Sequence, residues 1–209
     1  MKRPAMPPTI PGFEHISRHW YGAHDVFCAK VQPGDYYITD QNEAIYTVLG
    51  SCISACIRDV ELGLGGINHF MLPIHHKDKQ AWQSAPVSSA ERYGNYAMEH
   101  LINDIIKHGG SKRNLEIKIF GGGRMLAKMG DVGADNIRFV REYLKEENLK
   151  VVGHHVGGNA PRKIYYFPQT GRVLMKTLKS MHVNKICERE ANYLHTIDSK
   201  PVSGEVDLF

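Results

Sequence analysis

Cys52, preceded by Gly50-Ser51, and His69, seventeen residues further on, are the side chains in this sequence whose types do chemistry together. A thiolate is the nucleophilic form of cysteine, and a neighbouring imidazole can take the thiol proton. Such a pair attacks the carbonyl carbon of an amide or ester. It does so only if the chain folds so that the two side chains meet.

The local pattern predicts that they do. Ala44 to Leu49, Ile53 to Ile57 and Gly65 to Leu72 are short apolar or β-branched runs, with Asp59-Val60-Glu61-Leu62-Gly63 as a polar turn between the last two. This predicts a hairpin. If Arg58 pairs with Gly63, Cys52 stands directly opposite His69, with Cβ atoms about 4.5–5.5 Å apart on one face. In a strand, Cys52 and Cys56 are separated by roughly 13 Å, too far to share a metal or a disulfide. Cys56 is then a core residue, and Cys28 and Cys187 have no Cys-x-x-Cys partner. Four unpatterned cysteines in 209 residues suit a reducing compartment.

Other chemistries lack their frames. Gly121-Gly122-Gly123-Arg124 and Gly157-Gly158-Asn159 follow strands, but neither has the spacing of a nucleotide-binding loop, and both read as close backbone approaches near a site. The twelve histidines include His75-His76 and His154-His155, yet no His-Glu-x-x-His frame occurs, so no catalytic metal and no cofactor are expected. The net charge of +4 is spread along the chain, which gives no specific sign of nucleic-acid binding. No run of about eighteen apolar residues and no secretory leader are apparent, so the expectation is a cytoplasmic protein without membrane insertion.

The elements that must position the pair follow from periodicity. A helix is predicted from Ser88-Ser89 to the Gly109-Gly110 stop, with Ala97, Leu101 and Ile105 on one face, and a second from Asp135 to Asn148. Leu115 to Phe120, Lys150 to Val156, Arg162 to Phe167 and Arg172 to Leu178 read as strands, the last two joined by a Pro168-Gln169-Thr170-Gly171 turn. Strands outnumber helices and are expected to pair mostly with sequence neighbours. The fold class is therefore α+β, with antiparallel sandwich-like sheets and helices outside.

These segments resemble one family, the chemoreceptor glutamine deamidases of bacterial chemotaxis, the CheD proteins. The resemblance rests on Pro33-Gly34-Asp35-Tyr36-Tyr37, Leu49-Gly50-Ser51-Cys52, Gly65 to Pro73, Ile119-Phe120-Gly121-Gly122-Gly123, Val156-Gly157-Gly158-Asn159 and Thr170 to Leu174. It spans 31–179 as a deamidase domain and leaves 1–30 and 180–209 as N- and C-terminal extensions. It implies an α/β sandwich related to toxin deamidases, and hydrolysis of glutamine side-chain amides on methyl-accepting chemotaxis receptors to glutamate and ammonia. It also implies Cys52 as nucleophile, His69 as its histidine and Thr47 as a third site residue. A CheC-type chemotaxis phosphatase is an implied partner.

Residue chemistry supplies a mechanism for such a pair. His69 draws the proton from Cys52, the thiolate attacks the amide carbon, and the imidazole protonates the departing ammonia. Water activated by His69 then hydrolyses the thioester. The Cys52 N–H is the first oxyanion donor, and Ser51, Thr47 and Asn68 are candidates to orient the imidazole or the substrate. Two other classes stay open: an adaptor that binds receptors or a phosphatase with little catalysis, and a cysteine protease or transglutaminase. The end of the chain, Gly204 to Phe209, alternates acidic and apolar residues and reads either as a docking peptide or as a tail without a role.

Overall fold

The computed structural model describes residues 4–73, 89–125, 131–178 and 183–199. The tail from Gly204 to Phe209 and the His75-His76 pair lie outside them. In chain order the elements are β1 (Arg18–Tyr21), β2 (Val26–Lys30), β3 (Tyr36–Thr39), β4 (Glu43–Leu49), β5 (Ile53–Asp59), β6 (Gly65–Asn68), α1 (Ser89–Lys107), β7 (Leu115–Gly121), α2 (Val132–Glu146), β8 (Val151–Val156), β9 (Arg162–Phe167), β10 (Arg172–Thr177) and α3 (Val183–Ser199). Residues 18–30 thus contribute two strands, and α3 lies within 180–209.

Among the described residues ten strands make two sheets, ordered β1-β2-β4-β9-β10 and β3-β6-β5-β7-β8. The expected α+β class is what forms, but the sheets are mixed rather than purely antiparallel. β2 runs parallel to β4, and β7 parallel to β8. Pairing with sequence neighbours is also less general than expected, because β4 pairs with β9, β3 with β6 and β5 with β7. The physical reason is that β4 and β5 enter different sheets, so each must find partners from distant parts of the chain.

Alternation on these strands produces the core. On β4, residues 43, 45, 47 and 49 are buried while 46 and 48 are half-exposed, and on β9 residues 162, 164 and 166 are buried in the same way. This is the period-two signature of a sheet with one face covered. β5 is buried on both faces, since α1 and α2 pack against it on the side away from the first sheet. The sheets are tied by a buried carboxylate: Glu43 of β4 accepts from Arg18 of β1 at 2.7 Å and from Tyr37 and Thr39 of β3 at 2.7 and 3.1 Å.

The β5–β6 hairpin corrects the expected register. Arg58 pairs with Gly65 rather than Gly63, Cys56 with Ile67, and Ile53 bridges Phe70. The loop is two residues longer because Asp59 organises it. The Asp59 N–H donates to the Leu64 carbonyl at 2.8 Å, and its Oδ1 accepts from the Glu61 and Leu62 N–H groups at 2.9 and 3.0 Å. A two-residue shift preserves facing. His69 is therefore diagonal to Cys52, not opposite it, but still on the same face.

The glycine cluster after β7 meets the β4–β5 crossing. Gly122 N–H donates to the Cys52 carbonyl at 2.8 Å and Gly123 N–H to the Gly50 carbonyl at 2.6 Å. Gly121 has φ of 116°, and a Cβ there would lie 2.0 Å from the Cys52 carbonyl oxygen. Gly121→Ala is accordingly expected to destabilise the fold by about 2–4 kcal/mol, from backbone strain together with overpacking. A urea titration would show this as a lowered midpoint with unchanged slope; an unmoved midpoint would mean that the contact relaxes at no cost.

Candidate active site

Three residues carry the chain from the first sheet into the second. β4 ends at Leu49, β5 begins at Ile53, and Gly50-Ser51-Cys52 form the crossing. Thr47 therefore sits on the inner face of one sheet while Cys52 and His69 belong to the other, and all three side chains point into the space between. Each is buried, at 2%, 0% and 1% exposure.

Thr47 determines which nitrogen of His69 is basic. Its hydroxyl is 2.8 Å from the Val31 carbonyl and 2.7 Å from His69 Nδ1. A hydroxyl has one proton to give, and a carbonyl can only accept. Thr47 therefore donates to Val31 and accepts from Nδ1–H, which leaves the lone pair on Nε2. That nitrogen is buried without a hydrogen-bond partner. Its backbone is fixed too, since His69 N–H donates to Asp35 and its carbonyl accepts from Gly34, at 2.9 and 2.8 Å.

The crossing presents a row of donors to a carboxylate that sequence reasoning did not anticipate. Glu190, in the middle of α3 and fully buried, accepts from Gly50 N–H at 2.8 Å and more weakly from Cys52 N–H at 3.5 Å through Oε1. Its Oε2 accepts from Ser51 N–H at 2.8 Å and Ser51 Oγ at 2.7 Å. Successive backbone N–H groups converging on one point form an anion-binding nest. The nest includes the Cys52 N–H expected as an oxyanion donor and adds Gly50 and Ser51. The helix was visible in principle: Ile186, Glu190, Tyr193, Leu194 and Ile197 follow helical spacing, with a glutamate inside an otherwise apolar stripe.

Asn136 and Asn68 support the site from the helix side. Asn136 Nδ2 donates to the Ser51 carbonyl at 2.9 Å and its Oδ1 accepts from Leu72 N–H at 2.8 Å. Asn68 is held away from the cysteine: its Oδ1 takes the Ala55 N–H at 2.8 Å and its Nδ2 donates to the Ala97 carbonyl at 2.9 Å. Both ends of that amide are engaged by scaffold, and Asn68 fills a gap in the β5–β6 ladder. Of the five expected site residues, Cys52, His69, Thr47 and Ser51 are brought together and Asn68 is not.

Cys52, His69 and Glu190 offer ligand atoms within 4.8 Å of one another, and among the described residues they are the group of three that could hold a metal ion. Four hydrogen-bond donors already surround the carboxylate of that set. Burial, reinforced by the negative charge of Glu190, pushes the Cys52 thiol well above its usual range. Burial, with Arg189 adding positive potential, pushes His69 down to about 3. At neutral pH this arrangement holds a thiol beside a neutral imidazole.

A family model described as CheD chemotactic sensory transduction matches residues 71–177. A protein from Halorhodospira halophila, named a probable chemoreceptor glutamine deamidase CheD, is 51% identical over 204 residues, covering 98% of this chain and 94% of that relative. One of the same name from Hahella chejuensis is 48% identical over 209 residues, 100% of this chain and 98% of its own length. A third, from Methylobacillus flagellatus, is 51% identical over 183 residues, 87% and 89% of the two chains. With identity of this order over nearly its whole length, the chain belongs to the CheD family.

Proposed function

We propose that the chain is a cysteine-dependent deamidase that hydrolyses glutamine side-chain amides of chemoreceptors to glutamate and ammonia. The observation that carries this reading is the Thr47–His69 hydrogen bond, which leaves Nε2 as the base beside Cys52 while the crossing aims backbone donors at an acyl-sized group. The names of the relatives point to the same chemistry. Among the described residues no helix is long and apolar enough to cross a membrane, and the reading places the enzyme in the cytoplasm, where it meets the signalling helices of receptors. Partnership with a CheC-type phosphatase belongs to the same proposal.

His69 Nε2 takes the Cys52 proton as the sulfur attacks the amide carbon. The oxygen gains negative charge opposite the Gly50, Ser51 and Cys52 N–H groups, which the backbone holds in place and which receive it once the Glu190 carboxylate has withdrawn. The imidazolium returns its proton to the leaving nitrogen, ammonia departs, and a thioester remains. Water, deprotonated by Nε2, attacks that thioester, and the thiol is regenerated with glutamate as product. Thr47 stabilises each imidazolium intermediate by accepting from Nδ1–H. It plays the part that an Asn or Asp plays beside the histidine of many cysteine hydrolases.

Cys52→Ala should abolish ammonia release from a purified receptor, whereas serine at Cys28, Cys56 or Cys187 should leave turnover within a few fold of wild type. His69→Ala should lower turnover by about 10²–10⁴-fold, and activity should survive dialysis against a chelator. A Cys52→Ala protein that still shifts a receptor glutamine peptide by the mass of deamidation would remove the nucleophile from this scheme.

Thr47 is a positioning residue, and its role predicts a pattern of rescue. Thr47→Val should lower kcat by roughly tenfold or more with little change in KM, and Thr47→Ser, which keeps the hydroxyl, should restore most of the loss. Equal loss in both variants would mean that packing, not the hydrogen bond to Nδ1, is what Thr47 contributes.

A further inference from the structure

Glu190 has a place that its own helix does not require. α3 is anchored by apolar burial of Ile186 and Leu194, by the Tyr193 hydroxyl against that of Tyr93 of α1, and by Arg189 Nη2 donating to the Val48 carbonyl at 2.8 Å. The glutamate at the centre of this helix is nonetheless wholly buried, and its carboxylate fills the nest beside Cys52. Gly50 is shaped to admit it: a Cβ at that position would lie 2.6 Å from Oε2. His69 is not its partner, because Nδ1 is bonded to Thr47 and Nε2 to nothing. Glu190 therefore does not orient the base.

The chemistry of the group matters. A carboxylate has lone pairs on both oxygens, so Gly50 N–H can donate to one while Ser51 N–H and Oγ donate to the other. A glutamine amide has one acceptor oxygen where the carboxylate has two, so it fills fewer of these donors than the product does. The nest as found suits a glutamate side chain borne on a helix, which is what remains when a glutamine on a helix has been hydrolysed.

We propose that α3 is an intramolecular product mimic, with Glu190 occupying the acyl position of the site from a helix, so that α3 lifts before Cys52 can act and a helical segment bearing glutamine takes its place. The product-mimic part rests on the deamidase reading above; the role of α3 as a cover of Cys52 does not. With α3 in place Cys52 is fully buried and substrate cannot reach it. With α3 displaced, the sulfur gains solvent, loses the neighbouring negative charge, and becomes a better acid. A helix that docks through a carboxylate, one arginine–carbonyl bond, a tyrosine pair and a few apolar side chains is suited to local opening while the sandwich stays folded.

Alkylation by iodoacetamide, followed residue by residue by peptide mass mapping of the full-length protein, tests the cover directly. Glu190→Ala removes the carboxylate, and Tyr193→Ala weakens the anchoring of α3 without touching the nest. Both should raise the labelling rate of Cys52 by about tenfold or more over wild type, the scale of losing hydrogen bonds to a charged group in Glu190→Ala and a packed aromatic side chain in Tyr193→Ala. Cys28 and Cys56, buried in the sandwich, should stay unlabelled and so report that the fold is intact. Rates equal to wild type in both variants overturn the proposal, and so does labelling of Cys52 only in step with Cys28 and Cys56, because α3 would then not open separately. Ammonia release from a glutamine-bearing receptor segment should rise in the same two variants. Faster Cys52 labelling with no ammonia from any form supports the cover, while refuting the deamidase reading and the product mimicry that depends on it.

Discussion

The passage of the chain from one sheet to the other in the three residues Gly50-Ser51-Cys52 is the constraint on which the site depends. A gentler crossing would carry Cys52 away from Thr47, and the base on one sheet would lose its orienting group on the other. The sharp crossing leaves backbone groups without sheet partners, and a buried polar group must be paired. The carbonyls are taken by Gly123, Asn136 and Gly122, in the order Gly50, Ser51, Cys52. The N–H groups point the other way, into the site, where the Glu190 carboxylate accepts from them. One solution to the crossing thus supplies both the lock that holds the cysteine and the donors that receive charge.

That division explains why residues distant in sequence are spent on one short segment. Gly121 to Gly123 sit at the end of β7 because the crossing lies against them, and the positive φ at Gly121 turns the strand end so that the following amides reach it. Asn136 projects from α2 between the Ser51 carbonyl and Leu72 N–H, which ties the crossing to the segment that follows His69. The segments that carry Cys52 and His69 are thereby held by the same side chain. Such shared support holds the two side chains in a fixed register, as the proposed proton transfer between them requires.

Legibility in the sequence followed the range of the interactions. Cys52 and His69 share a face because hairpin parity is local, and a loop two residues longer than expected left that parity intact. The direct opposition was misread because Asp59 folds the turn with its side chain, a choice that residue types alone do not reveal. The glycine clusters were legible as close approaches, though what they approach was not. The parallel pairs β2–β4 and β7–β8 were missed because parallel neighbours carry no turn signal between them. Asn68 looked like a site residue by adjacency to His69, but successive strand residues point to opposite faces. Glu190 was hidden for the opposite reason, since 138 residues separate it from the cysteine whose N–H it faces.

Electrostatics sets the state in which the proposed pair is held. Transfer of the Cys52 proton to His69 would create two charges inside a dry site, with the carboxylate of Glu190 already beside the sulfur and Arg189 near the ring. As the structure stands the thiol is pushed up, by burial and then by Glu190 with Arg189 partly offsetting, and the imidazole is pushed down, by burial and then by Arg189. The same N–H donors that would stabilise an oxyanion are meanwhile saturated. Burying a carboxylate costs several kcal/mol, and the hydrogen bonds to it offset that cost. On the proposed reading, a site so arranged is silent while α3 is seated and becomes active when a substrate segment displaces it.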